Sequence, residues 1–356
     1  MDKIRVVVID DSAVMRCALS NMLSESNKIE VVGKISNAKY ALDVIERLKP
    51  DLITLDVEMP EMDGLTALKM IRKQYKNLPV IMCSAVTEHG GTITLEALAH
   101  GASDYITKPR SGISQKDVFQ KMGDALIYKI KQLVLQKKRN VTATTDLVTK
   151  SRSSRVTNNP IDIITIGVST GGPNALREVL AAIPADISVP LVIVQHMPAL
   201  FTGIFAKSIS EHVAIPVVEA SEGDILVPGK AFLAPGGYHM AIVQKNNRHV
   251  VKLNQDPEEN YCRPAADVLF RSVVNVFGAH VLGVVLTGMG KDAMLGCKLI
   301  KEKGGHVIVQ DEETSVVWGM PGAVVREGLA DQVLPVTRIA PAIMRCLSRS
   351  RSGVGV

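Results

Sequence analysis

The first 130 residues repeat one pattern five times: a short run of branched aliphatic residues, then a stretch with helical spacing. The strand-like runs are Ile4–Ile9, Glu30–Ile35, Leu52–Leu55, Val80–Cys83 and Ser103–Ile106. Helical spacing fills Ala13–Ser24, Ala38–Leu48 and Leu65–Gln74 between them. Short apolar runs that do not alternate with polar residues suit strands covered on both faces. Strands separated by helices run parallel, because each crossover returns the chain to the same starting edge. The pattern therefore predicts a five-stranded, doubly wound (βα)5 domain over residues 1–130.

A second α/β domain is expected over residues 160–350. Its buried parallel strands are read at Ile161–Gly167, Leu191–Gln195, Val281–Leu286 and His306–Val309. Helices are expected at Pro173–Ala182, Leu200–Glu211, Ala265–Phe277 and Asp292–Lys303. His239–Val243 and His249–Leu253, joined through Gln244–Arg248, read as a β-hairpin, so this mainly parallel sheet is expected to be mixed. Between the domains, residues 131–159 read as a flexible basic linker, with seven Lys/Arg against the single acid Asp146. Much of the chain's net charge of +5 resides there, so it says little about either globular part. No helix-turn-helix or zinc-ligand pattern follows the linker, and no nucleic-acid partner is expected. The five cysteines are scattered without a C-x-x-C pair, the opening MDKIRVVVIDDS does not read as a secretory leader, and no apolar run approaches membrane-spanning length. A reduced, cytoplasmic protein without membrane insertion is the expectation.

Acids gather at strand ends in the first domain. Asp10 and Asp11 close its first strand and Asp56 its third. In an open parallel sheet the carboxyl ends of the strands form the ligand crevice. Three carboxylates there repel one another, and a divalent cation such as Mg²⁺ relieves the repulsion. Ser84 after the fourth strand and Lys108 after the fifth add a hydroxyl and an ammonium, groups suited to a phosphoryl on Asp56. The ordered set VVVIDDS, LDVEMPEMDG, IMCSA and DYITKP resembles the receiver domain of two-component response regulators. The resemblance implies a flavodoxin-like fold, Asp56 as phosphoacceptor, Asp10 and Asp11 with Asp56 on Mg²⁺, Ser84 as switch hydroxyl, Tyr105 as rotamer switch and Lys108 as phosphate partner. It also suggests a cis Lys108–Pro109 bond.

In the second domain Gly167-Val168-Ser169-Thr170-Gly171 is G-x-S-x-G between a strand and a helix. A serine there stands at the sheet edge, near N–H groups that can hold an oxyanion. The same glycines approximate a dinucleotide fingerprint, but Ser169 replaces the middle glycine and the next strand ends in Gln195-His196, without a ribose-binding acid. A nucleophilic serine needs a base and an orienting acid. Of His196, His212, His239, His249, His280 and His306, only His196 follows a buried strand at the carboxyl edge. Two acids compete for the third role: Asp311 follows His306–Gln310, and Asp292 follows Val281–Leu286 through Thr287-Gly288-Met289-Gly290-Lys291. Topology leaves both open, although the glycines flanking Met289 allow close backbone approach and favour Asp292.

The segments GVSTGGP, VQHMPALFTGIFAKSI, FLAPGGYHM, YCRPAADVLFRSV, LTGMGKDAMLG and QDEETSVVWGMPGAV resemble the catalytic domain of chemotaxis protein-glutamate methylesterases, from Ile161 to Ile343. That resemblance implies Ser169 as nucleophile, His196 as general base and acid, and Asp292 as orienting carboxylate. It adds an oxyanion contribution from the Met289 backbone, with Thr170 close by. No cofactor is implied for the esterase. Substrates would be methyl-accepting chemotaxis receptors, and the phosphodonor a chemotaxis histidine kinase. Phosphorylation would expose a cleft that the resting receiver covers, and deamidation of glutamine would use the same machinery. Ala293 stands where the family often has glycine, so a positive φ there would strain it. Arg263 is a candidate for substrate binding. The competing readings are a binding protein on a dead hydrolase fold and a transcriptional regulator using the basic linker.

Overall fold

The computed structural model describes residues 3–109, 115–142 and 159–352. The chain forms two compact units, Met1–Thr144 and Thr145–Val356.

In the first unit, β1 (Ile4–Ile9), α1 (Ala13–Ser24), β2 (Ile29–Ile35), α2 (Ala41–Leu48), β3 (Leu52–Asp56), α3 (Gly64–Gln74), β4 (Val80–Ser84), α4 (Glu88–Ala99), β5 (Asp104–Thr107) and α5 (Gln115–Thr142) alternate along the chain. The strands pair parallel in the order β2-β1-β3-β4-β5. Val6, Val7 and Val8 of β1 and the whole of β3 and β4 are buried, as the unbroken apolar runs require. Side chains just past the strands cap the following helices: Ser12 accepts from Met15 N–H, Asp63 from Thr66 N–H and Thr87 from Gly90 N–H. The edge that collects the acids is therefore also an edge of helix N-termini. The helix α5 overturns one expectation. It continues to Thr142, with Leu133 and Val134 buried, so residues 131–142 are helical where a linker was expected. Their apolar spacing supports an amphipathic helix that the local basic charge obscures. Residues 143–158 lie outside the described residues.

In the second unit β6 (Ile163–Val168), α6 (Gly172–Ala181), β7 (Leu191–Gln195), α7 (Ala199–Ser210), β8 (Val217–Glu219) and β9 (Ala231–Leu233) precede a hairpin of β10 (His239–Lys245) and β11 (Arg248–Asn254). Then follow α8 (Ala266–Phe277), β12 (Val281–Val285), α9 (Met294–Glu302), β13 (His306–Gln310), α10 (Met320–Arg326), β14 (Gln332–Leu334) and α11 (Val336–Ser352). Seven strands pair in the order β14-β13-β12-β6-β7-β9-β8, every neighbour parallel. The sheet is thus not mixed. The hairpin forms its own two-stranded sheet, turned by Asn246 and Asn247 at φ 49° and 57°. It packs on α8, and the Ile242 N–H bonds the Ser272 hydroxyl instead of another strand. Phe201, Phe205, Phe232 and Phe270 are fully buried and bulk out a core built mainly of aliphatic residues.

Candidate active site and acidic pocket

Each sheet has a switch point where successive strands depart in opposite directions, and each candidate site lies there. In the first unit the switch falls between β1 and β3, so Asp10 and Asp56 are neighbours at the carboxyl edge. Carboxylate oxygens of Asp10, Asp11 and Asp56 all lie within 4.8 Å of one another, with Asp10 and Asp56 buried and Asp11 exposed. The Lys108 ammonium stands 2.8 Å from Asp10 Oδ2 and 2.7 Å from Asp56 Oδ2. Three carboxylates against one ammonium leave an excess of negative charge that a divalent cation could offset, so the donor set fits Mg²⁺. Burial raises Asp56 to about 6, and Lys108 only partly opposes it.

The other expected receiver residues are placed as follows. Ser84 Oγ donates to the carbonyls of Ala85 (3.2 Å) and Gly90 (3.1 Å), at the start of α4. Tyr105 is buried, with the Lys129 ammonium 5.5 Å from its ring centroid, and burial raises its phenol. The Lys108–Pro109 bond is not cis; the cis bond among the described residues is Arg263–Pro264. X–Pro isomers differ by only about 0.5–1 kcal/mol, so the dipeptide itself does not select one.

In the second unit the chain departs from β6 toward β7 on one side and β12 on the other. Ser169 follows β6, His196 follows β7 and Asp292 follows β12, so adjacent strands bring all three to one edge. Two glycines allow this closeness. Gly171 has φ +76°, and a Cβ there would stand 2.6 Å from Val316. A Cβ on Gly288 would stand 2.9 Å from the Ser169 Cβ, so the Met289 loop lies directly against the serine.

His196 Nε2 lies 2.7 Å from Asp292 Oδ2. That oxygen also accepts from Ala266 N (2.6 Å). Asp292 Oδ1 accepts from Asp267 N (2.9 Å), Ala293 N (3.0 Å) and the Asn260 amide (3.0 Å). Two of these donors, Ala266 and Asp267, open α8, so the carboxylate sits at the positive end of that helix. Burial alone would raise Asp292, but His196 and the surrounding N–H donors outweigh it and hold the group below the usual carboxylate range. Burial likewise opposes the His196 imidazolium, while the Cys262 sulfur and Asp292 overcome it and raise His196 above the ordinary imidazole range. With Nε2 given to Asp292, Nδ1 is the nitrogen left for proton exchange. The Ser169 hydroxyl is half-buried and has no hydrogen bond to His196 among the described residues. Serine–histidine bonds often tighten only once substrate is bound.

The rival acid Asp311 accepts from the N–H (2.9 Å) and hydroxyl (2.7 Å) of Thr314, a local turn. Arg263 donates from Nη1 to the carbonyls of Gln255 (3.0 Å) and Asp256 (2.9 Å), which ties one end of the guanidinium to that loop. Thr170 is buried, and its carbonyl accepts from the Thr287 hydroxyl at 2.9 Å. No described residue accepts the Met289 N–H. Ala293 has φ +75°, so the strain expected at that position is present. Asn260, Cys262 and Asp267 went unseen in the sequence. Only the unusual charge of an Asp amid the apolar AADVLF run could have marked one of them.

Residues 164–343 match the family described as CheB methylesterase, and residues 6–117 that of the response regulator receiver domain. A protein-glutamate methylesterase/protein-glutamine glutaminase of Trichodesmium erythraeum is 47% identical over 97% of this chain and 99% of its own length. A protein of the same name from Nocardioides is 45% identical over 99% and 97%. The crystal structure of the Thermotoga maritima CheB methylesterase catalytic domain superposes with a TM-score of 0.51 at 37% identity, covering 52% of this chain and 98% of that one.

Proposed function

The chain belongs to the CheB methylesterase family, with a response regulator receiver domain ahead of the catalytic domain, and from that premise we propose that it hydrolyses glutamate 5-methyl esters on methyl-accepting chemotaxis receptors under control of Asp56 phosphorylation. The observation that carries the reading is the His196–Asp292 bond of 2.7 Å, with the carboxylate held by four further N–H donors at the edge bearing Ser169. Ser169 attacks the ester carbonyl. The neutral form of His196 takes the serine proton and returns it to the departing methoxide, releasing methanol. Asp292 holds the imidazole in one tautomer and stabilises its charged form. The Met289 N–H, beside Thr170, supports the oxyanion. Water, activated by the same histidine, then resolves the acyl-enzyme. Glutamine side chains enter by the same route with ammonia as a poorer leaving group, in keeping with the glutaminase activity in the relatives' names.

In the receiver, Asp56 takes the phosphoryl group from a histidine kinase. Asp10, Asp11 and Asp56 would hold Mg²⁺, which supplies charge neutralisation for the phosphoryl oxygens. Lys108 pairs with the phosphoryl group, and Ser84 and Tyr105 respond to it. No described helix is long and apolar enough to cross a membrane.

The test is methanol release from methylated receptor, comparing the unmodified protein with Ser169→Ala, with and without a small phosphodonor and Mg²⁺. Release that needs Ser169 and rises with phosphodonor is expected. Release indifferent to the phosphodonor removes the control by Asp56. Absence of Ser169-dependent release rejects the esterase reading.

A further inference from the structure

A two-residue turn lies beside the catalytic carboxylate. Glu259 and Cys262 exchange backbone bonds of 3.2 and 3.0 Å, and the intervening Asn260 and Tyr261 have φ 54° and 61°. This is the left-handed pair of a type I′ turn, in which asparagine is favoured. Arg271 of α8 pins the turn through two bonds to Glu259, of 3.1 and 2.7 Å.

The Asn260 amide nitrogen donates to Asp267 Oδ2 (3.1 Å) and to Asp292 Oδ1 (3.0 Å). An NH₂ group has two hydrogens, and these two acceptors use both. The opposite amide orientation would aim the Asn260 oxygen at two carboxylates. Asp267 is itself buried, and its Oδ1 accepts from Gly296 N at 2.7 Å. Nothing in the ester hydrolysis uses the Asp267 side chain directly, yet this residue opens α8 and its backbone N–H meets Asp292.

We infer that Asn260 is a positioning residue for the Asp292 carboxylate, and that the buried Asp267 carboxylate keeps the Asn260 amide turned donor-first. The inference rests on the esterase reading and deepens it. Asn260 separates two buried carboxylates that would otherwise face each other, and it fixes the plane in which Asp292 meets His196. A loss of that alignment acts on the chemical step more than on substrate binding.

Three variants test this. Asn260→Gly removes the amide and suits the positive φ. Asn260→Asp keeps the shape and turn conformation but replaces a donor with an acceptor. Asp267→Asn sets an NH₂ against the Asn260 donor, forcing that amide to flip, or turns it on the Gly296 N–H instead. Each should lower kcat on methylated receptor by about 10- to 100-fold, with KM within about 2-fold of the unmodified protein. The double variant Asn260→Gly/Asp267→Asn should be no slower than Asn260→Gly, because Asp267 acts through Asn260. Additive losses, or a kcat within about 2-fold for Asn260→Gly with an unchanged melting temperature, would overturn the inference. Should Asn260→Gly fail to fold, Asn260→Asp and its double variant with Asp267→Asn decide in the same way.

The downfield proton resonance of the His196 Nε2–H provides a readout that needs no substrate. It should shift or broaden in Asn260→Gly and in Asp267→Asn. An unchanged resonance counts against the inference even if the esterase reading fails, whereas absent Ser169-dependent turnover with a shifted resonance rejects only the substrate assignment. The groups facing this hydrogen bond are Asp267, Glu259, Arg271, Cys262 and Cys297, so the spectra are compared at one pH.

Discussion

Asp56 and Asp292 stand in equivalent places, each just past a buried parallel strand at a switch point, and they differ in what solvates them. Asp56 shares a single ammonium with Asp10, and burial leaves it raised to about 6. Asp292 accepts from four N–H donors besides His196 and is lowered. A carboxylate to be phosphorylated needs a lone pair that a counterion can release. A carboxylate that orients a histidine needs every lone pair occupied, so that it neither rotates nor takes the proton. The same edge of the same kind of sheet thus holds a sparsely partnered acid in one unit and a fully partnered one in the other, as the proposed roles require.

The largest effect that can break this contrast lies at Asp292. Asp292→Asn should lower kcat by about 10³- to 10⁴-fold while leaving the α8 N–H donors in place, because an amide holds the wrong imidazole tautomer. Methanol release under saturating substrate measures it. A loss of only a few fold would mean that Asp292 is no more fixed in its role than Asp56.

Next in size is the opposite pH dependence of the two units. Asp56 ionises near 3.8 when unfolded and near 6 when folded, so the unfolded chain binds fewer protons between those values. Stability must then fall as pH rises through that window. Amide-exchange protection of β1 and β3 should drop by about 2 kcal/mol, a figure trimmed for residual solvent screening. Asp56→Asn should flatten the slope. For Asp292, whose folded pKa is lowered, the stabilisation is present above the ordinary carboxylate range and is lost as pH falls below it. Protection of β6 and β12 should weaken on acidification, the reverse of the first unit.

Cys262 gives a smaller effect that sharpens the picture of the second site. Its sulfur favours the charged imidazole. Replacing it by Cys262→Ala should let His196 lose its proton at lower pH and move the acid limb of the kcat/KM profile downward. An unmoved limb would assign the whole rise to Asp292.

Ala293→Gly should have the smallest effect. Glycine would relieve the φ of +75°, worth about 1–2 kcal/mol. It would also remove a buried methyl and add freedom to the unfolded chain, at similar cost. The melting temperature should move by less than about 4 °C. A larger rise would show that loop strain, not packing, dominates at this position.

Much of this molecule is written locally. Unbroken aliphatic runs determined which segments are buried parallel strands, and the residues just past those runs determined which side chains reach the carboxyl edge: Asp10, Asp56, Ser169, His196. Local spacing also hid some features. The basic residues of 131–142 masked a helix, and the short strands Val217–Glu219, Ala231–Leu233 and Gln332–Leu334 are too brief to show a period. Strand positions left Asp292 and Asp311 open and the family resemblance pointed to Asp292; the tertiary structure shows that Asp292 is the one that meets His196. The order β13-β12-β6-β7 places the loop after β12 beside Ser169 and leaves Asp311 one strand further away. It alone brought Asn260, Cys262 and Asp267 to the site, because the start of α8 packs where the loop after β12 ends. Periodicity records whether a residue is buried; it carries no record of which distant strand or helix end will be its neighbour, and neighbours are what hold Asp292 in place.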